Sequence, residues 1–151
     1  MSYKIELVPP EDAVRVYNFI RSKNLDYPGY ADWVEKCKRQ LEIGEKRAIA
    51  TSVNNQVIGS IVFQCLKGDN KIMEVKNFRV DENHKRLGVG SSLDHSLFNL
   101  AKSEGFRKIQ IDTHSNNAEM ISFLIKRGYV AQSQENLYSP NKKEIILTRD
   151  L

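Results

Sequence analysis

Between Glu74 and Ser91 the chain reads Glu-Val-Lys-Asn-Phe-Arg-Val-Asp-Glu-Asn-His-Lys-Arg-Leu-Gly-Val-Gly-Ser. An apolar strand runs through a basic turn into two closely spaced glycines. A helical pattern follows at once, with Leu93, Leu97, Leu100 and Ala101 on one face and Gly105 to end it. Strand, glycine turn and helix start in this order build an anion cradle. The first N–H groups of a helix have no acceptor within it, and the aligned peptide dipoles add partial positive charge there. Gly88 and Gly90 carry no Cβ, so the main chain can approach an anion closely. Lys85 and Arg86 bring full positive charges to the same turn.

The strand entering this turn holds an anomaly. Met73 and Val75 set apolar groups at odd positions, whereas Phe78 and Val80 set them at even ones. The phase slips by one near Lys76-Asn77, as a β-bulge with one unpaired residue would make it slip. A bulge there re-aims side chains and lets a sheet open a cleft.

The remaining chain is read around that element. Tyr3 to Val8 alternates as a first strand, stopped by Pro9-Pro10, and Glu11-Asp12 precede a helix reaching to about Lys23. Leu25 to Tyr30 is a loop by its Pro-Gly pair, and Tyr30, Trp33, Val34, Cys37 and Leu41 form the stripe of a second helix ended by Gly44. Lys46–Val53 and Gln56–Leu66 are strands joined by Asn54-Asn55, a turn that accepts positive φ. Gly59 within the second strand marks a bulge or close packing. Lys67 to Asn70 is a turn into the key strand. Lys108–His114 is a strand with Ile109 and Ile111 inward. Asn116 or Asn117 caps a fourth helix with Ala118, Ile121, Leu124 and Ile125 as its apolar face, and Gly128 ends it. Tyr129–Tyr138 and Lys143–Arg149 close the sheet around Ser139-Pro140-Asn141.

At 151 residues, with neither repeats nor a linker, the chain reads as one domain burying about two-thirds of its unfolded surface. A net charge of +4 with 19 acidic residues favours anionic ligands without the concentrated basic face of a nucleic-acid binder. Cys37 and Cys65 fit no metal-ligand spacing and read as reduced core thiols of a cytoplasmic protein. Met1 to Lys4 starts a strand-like run and not a secretory signal, and no apolar run approaches the ~20 residues a membrane helix needs.

The run Lys85-Arg86-Leu87-Gly88-Val89-Gly90 resembles the signature of the GNAT superfamily of acyl-CoA N-acyltransferases. That signature has Gln or Arg, two residues, Gly, one residue, then Gly or Ala; here Lys stands first. Asn117 through Gly128-Tyr129 resembles the family's later helix motif, which ends in Gly-Phe. The element order matches along nearly the whole chain, over the first 70 residues by pattern only. The fold implied is α+β in three layers: a mixed, mostly antiparallel sheet of about seven strands with a bulged, splayed central strand and four flanking helices.

The resemblance implies transfer of acetyl from acetyl-CoA to a primary amine of a small molecule or peptide, by direct attack in a ternary complex. It implies that Phe78, Arg79 and Val80 lie along the pantetheine arm through main-chain hydrogen bonds. Lys85, Arg86, Leu87, Gly88, Val89, Gly90 and Ser91 would wrap the pyrophosphate, and Asn117 would bond the cofactor from the next helix. A backbone N–H near Val80 at the bulge would stabilise the oxyanion. No metal is implied, and a homodimer is compatible with this architecture.

An ammonium with an ordinary pKa of about 10.4 must lose a proton before it can attack. Glu74 stands where histone-type members of the family carry a catalytic glutamate; walled by Met73, Phe78 and the bulge, it could ionise closer to neutrality. Otherwise it is a strand glutamate paired with Lys76, and an Asp or a water elsewhere takes the role. Family members often protonate the leaving thiolate with a tyrosine on the fourth helix. The corresponding residue here is Leu124, which leaves Tyr138, Tyr129 and His114 as donors, or departure as thiolate. Tyr27, Tyr30 and Trp33 read as core or as the acceptor wall, and Asp26 and Asp32 could attract a cationic amine. The loss at Leu124 also motivates a different reading, a non-catalytic acyl-CoA-binding regulatory domain.

Overall fold

A computed structural model describes residues 3–23, 28–139 and 142–151, without the side chains of residues 138 and 139. Asp26, Tyr27, the side chain of Tyr138 and the Pro140-Asn141 turn lie outside the described residues. In chain order the elements are β1 (Lys4–Leu7), α1 (Ala13–Ser22), α2 (Tyr30–Glu42), β2 (Arg47–Val53), β3 (Gln56–Leu66), β4 (Asp69–Val80), α3 (Val89–Ser103), β5 (Lys108–His114), α4 (Ala118–Lys126), β6 (Val130–Ser139) and β7 (Lys142–Asp150). The strands form a seven-stranded sheet in the order β1-β2-β3-β4-β5-β7-β6. Every neighbouring pair is antiparallel except β4 with β5.

Local chemistry accounts for most boundaries. Asn54 and Asn55 both adopt left-handed backbone (φ 51° and 65°), the geometry that matches a two-residue hairpin turn to the twist of β2 and β3. Asn117 caps α4, its side-chain oxygen accepting from the Met120 N–H at 3.1 Å. The turn before β4 is shorter than the Lys67–Asn70 expected, because Asp69 already pairs with Leu66.

α1 and α2 cover one face of the sheet, where Val16, Ile20, Val34, Cys37, Leu41 and Val62 form a core. α3 and α4 cover the other, around Phe63, Met73, Leu93, Leu97, Ile109, Leu124 and Leu147. Two expectations need correction. The buried side of α4 is Met120, Phe123 and Leu124, whereas Ala118 is exposed and Ile125 is 54% exposed. The short helix thus turns away from the stripe its sequence offers, because Met120 and Phe123 are drawn toward β4. Cys65 is exposed and not a core thiol; Cys37 is fully buried, and burial pushes its thiol up to about 11.

Gly59 is required for packing. A Cβ there would lie 3.0 Å from both Leu93 Cδ1 and Val89 Cγ1, two side chains buried under α3. Overpacking of that kind costs about 1–3 kcal/mol, against a strand-entropy gain of about 0.5–1 kcal/mol over glycine. Gly59→Ala is therefore expected to lower the thermal midpoint by a few degrees in calorimetry, with the sheet retained. An unchanged or raised midpoint would show that α3 can shift to accommodate a methyl.

Candidate active site

β4 and β5 stay paired only from Ile72 opposite Lys108 to Val75 opposite Ile111. Beyond that point the two strands part. The cause lies on the other side of β4: Val62 of β3 faces Asn77 while Phe63 faces Val75, leaving Lys76 as the unpaired residue. The bulge thus falls where the apolar phase slips. It swings Phe78 and Val80 onto the α3 face, and Asn77 (5% exposed) toward α2, where its amide donates to Tyr30 Oη at 3.5 Å. The bulge stands well before Val80. The Val80 N–H assigned to an oxyanion therefore belongs to the Gly59-paired end of the strand and not to the bulge itself.

Two cavities open along this split. One, of about 830 Å³, lies between the β4 end, the turn into α3 and the start of α4; the other, of about 260 Å³, lies between β4, β5 and α2. Phe78, Arg79, Asn117 and Met120 line both, so the cavities meet at a shared throat.

The larger cavity gathers most of the cofactor residues expected from sequence: Phe78, Arg79, Val80, Lys85, Arg86, Gly88, Gly90, Ser91 and Asn117 all line it. Leu87 and Val89 do not. Leu87 is 58% exposed and Val89 is packed into the core, so either could contribute only main-chain groups. Gly88 is the residue before α3, at φ +83°, with no side chain capping the helix. The Ser92 N–H is bonded to the Gly88 carbonyl at 3.0 Å, which leaves the N–H groups of Val89, Gly90 and Ser91 without an acceptor in the helix. A Cβ on Gly88 would meet no atom within 4 Å; one on Gly90 would protrude toward Phe123 (3.5 Å) and Val80 (3.7 Å). These observations fit a diphosphate: free donors, a backbone kept bare, and Lys85 and Arg86 alongside. Arg86 itself sits in left-handed backbone at φ 64°, a conformation costing a non-glycine residue about 1–2 kcal/mol and one that collects at binding loops. Lys85 bridges Glu82 at 3.1 Å and Glu119 of α4 at 3.6 Å.

The smaller cavity has a mixed wall. Tyr30 and Trp33 stack at 5.9 Å on one side, Tyr30 buried and donating to the Ile20 carbonyl at 2.9 Å. That burial raises the Tyr30 hydroxyl above the usual phenol range. Asp32 is exposed and does not line it. Opposite stand Asp112 and His114 of β5. Glu74 lines neither cavity; its carboxylate lies 3.5 Å from Lys76 Nζ and 3.3 Å from Gln64 Nε2. Tyr129 is committed elsewhere, donating to Asp94 at 2.8 Å in the core, where burial raises its hydroxyl far above the usual range. Leu124 is fully buried.

Two acidic residues were not singled out from sequence. Asp112 could have been, since strand alternation sets it on the same face as His114 and opposite to Ile109 and Ile111. Glu144 could not, because only the β5–β7 register brings it opposite His114.

The sequence profile of the acetyltransferase (GNAT) family matches residues 13–129. Among solved structures the chain is similar to the ribosomal-protein-S18-alanine N-acetyltransferase of Escherichia coli, at 18% identity and TM-score 0.81, covering 99% of this chain and 94% of that one. It is also similar to the IAA acetyltransferase of Bacillus cereus (20%, 0.73, 99% and 100%). A third is the PaiA N-acetyltransferase of Thermoplasma acidophilum, solved with coenzyme A (14%, 0.77, 100% of both chains). No curated protein matches the chain.

Proposed function

The chain belongs to the GNAT family of acetyltransferases, whose acyl donor is acetyl-CoA, and from that premise we propose that it is an N-acetyltransferase for a primary amine. The acceptor is a small molecule or a peptide, and the amine attacks directly while both substrates are bound. One domain over residues 1–151 carries the activity, in the cytoplasm. The free thiols of Cys37 and Cys65 support that setting.

The observation that carries this reading is the shared throat. A cradle of helix-terminal donors opens through Phe78 and Arg79 into a second cavity walled by an aromatic pair and by Asp112 and His114. An anionic cofactor tail fits the first, and a protonated amine fits the acidic side of the second. When bound, acetyl-CoA supplies an activated acetyl group with a thiolate leaving group. The N–H groups of Val89, Gly90 and Ser91, with Lys85 and Arg86, would hold its diphosphate. The stretch of β4 from Phe78 to Val80, which lies beyond the last β5 pair at Val75, would hold its amide arm. These residues contribute proximity, worth as much as about 7–11 kcal/mol in well-oriented reactions. Leu124 offers no proton, so thiolate departure does not depend on α4.

The test is release of CoA thiol from acetyl-CoA in the presence of phenethylamine, lysine and a tetrapeptide with a free N-terminus. The expected result is amine-dependent release by at least one of them. Saturable acetyl-CoA binding with no release for any amine would favour a non-catalytic acyl-CoA-binding domain instead.

A further inference from the structure

The bulge that opens the cleft also decides which charge faces it. Lys76, its unpaired residue, lines the smaller cavity and keeps a fifth of its side chain accessible (20%). Its partner Glu74 lines neither cavity, so the acceptor's cavity meets the cation of this ion pair and not its anion. The pair is loose. Lys76 Nζ stands 3.5 Å from Glu74 Oε2, beyond the ~2.7–2.9 Å of a charge-assisted hydrogen bond, and Glu74 accepts from Gln64 Nε2 instead. Behind it Lys46 is buried, its Nζ donating to the Gln40 side chain at 2.8 Å, and both Lys76 and Glu74 act on its charge. One carboxylate therefore answers two lysines. With Arg79 farther along the strand, the β4 wall carries an excess of positive charge.

The opposite wall is weaker in negative charge than its acids suggest. Asp112 of β5 lines the cavity, but Glu144, opposite His114 on β7, is completely buried and does not. Burial pushes the Glu144 carboxyl up to about 7, with Asp112 adding to the rise and Lys142 opposing it, so near neutrality it holds a proton part of the time. Two other polar atoms of the wall, His114 Nε2 and Asn77 Oδ1, are sealed from water. Lys76 offers the acceptor an accessible charge, and that charge calls for a carboxylate. It stands two positions, roughly 7 Å, along β4 from Phe78 at the throat. An amine attacking at the throat and an anion on Lys76 therefore fit one small molecule, with the Tyr30–Trp33 pair against its side chain. We infer that the acceptor is an amino acid, a primary amine with a carboxylate a few bonds away, and that Lys76 is the specificity-determining residue that binds this carboxylate. The inference rests on the N-acetyltransferase reading above and names the substrate class for that same site.

The test compares acceptors that differ only in that charge: phenylalanine, leucine and lysine, each against its own α-carboxamide. An α-amino amide has the more acidic ammonium, so amine availability favours the amide, and a preference for the acid must come from the site. In the responsive pair, kcat/KM for the acid should exceed that for the amide by about 30-fold or more. Lys76→Gln should cut this ratio by about tenfold or more, Lys76→Glu should bring it below one, and Lys76→Arg should keep most of it. A ratio taken within one variant is unaffected by partial unfolding. Lys36→Gln removes the same charge from an exposed position on α2 outside the cavity and should leave the ratio within about twofold. Trp33, the chain's single tryptophan, stands in the cavity wall and reports occupancy without turnover. With CoA present, the acid should quench its fluorescence at concentrations about tenfold or more below those of the amide. Wild-type protein that acetylates the amides or the tetrapeptide as well as the acids overturns this inference and leaves the N-acetyltransferase reading standing. So does a preference for the acid that survives Lys76→Gln, or equal quenching of Trp33 by acid and amide. Wild-type protein that releases no CoA with any amine overturns the N-acetyltransferase reading, and this inference with it.

Discussion

Gly88→Glu should weaken acetyl-CoA binding by about two orders of magnitude in calorimetric titration, with the protein still folded. Open space surrounds the position where its Cβ would go, so the new side chain meets no neighbour. What it meets is the anion. Two like charges about 4 Å apart near a protein surface repel by roughly 4 kcal/mol, and ~2.7 kcal/mol is already a hundredfold in affinity. The left-handed backbone at φ +83° adds about 1–2 kcal/mol of strain, which falls on stability and not on binding. Gly88→Asn separates the two effects, since asparagine tolerates left-handed backbone and brings no charge. It should bind acetyl-CoA within about tenfold of wild type. Equal affinity for Gly88→Glu and wild type would remove the cradle from the cofactor site.

Asp94→Ala should cost about 3–5 kcal/mol of stability, the toll of stripping one partner from a buried charge cluster. Asp94 is fully buried on α3 and accepts from Tyr129 Oη at 2.8 Å, Arg127 Nε at 3.0 Å and Arg149 Nη1 at 3.2 Å. Arg149 also lies 3.9 Å over the Phe98 ring. The cluster ties α3 to the end of α4 and to β7, and so fixes the helix whose first turn forms the cradle. Without the carboxylate, two guanidinium groups face each other with no counter-charge. For a chain of this length ~3–5 kcal/mol lowers the thermal midpoint by roughly 6–20 °C. Asp94→Asn keeps an acceptor for Tyr129 and should lose less. A shift of under about 2 °C for Asp94→Ala would show that the arginines find other partners.

The bulge and the cradle were legible because each is written locally. A one-residue slip in strand phase from Val75 to Phe78 and two glycines before a helical stripe need no knowledge of distant chain. The family resemblance rested on that stretch together with Asn117 through Gly128-Tyr129 and the order of the elements. What escaped was set by pairing between distant segments. Whether Glu74 or the β5 residues face the cavity depends on where β4 leaves β5, which no local pattern states. Glu144 becomes interesting only once β7 is laid against β5 in register with His114. The turn of α4 was misread for a related reason. Leu124 and Ile125 suggest a stripe, but the helix is only nine residues long, and the cleft beside Phe78 decides which side is covered.

A crystal structure of the protein with acetyl-CoA bound tests the central claim most directly. The account predicts the diphosphate within hydrogen-bond reach, about 2.7–3.2 Å, of the main-chain N–H groups of Val89, Gly90 and Ser91, and the thioester at the throat beside Phe78 and Arg79. A diphosphate bound elsewhere, or those N–H groups turned onto the protein's own side chains, would contradict it.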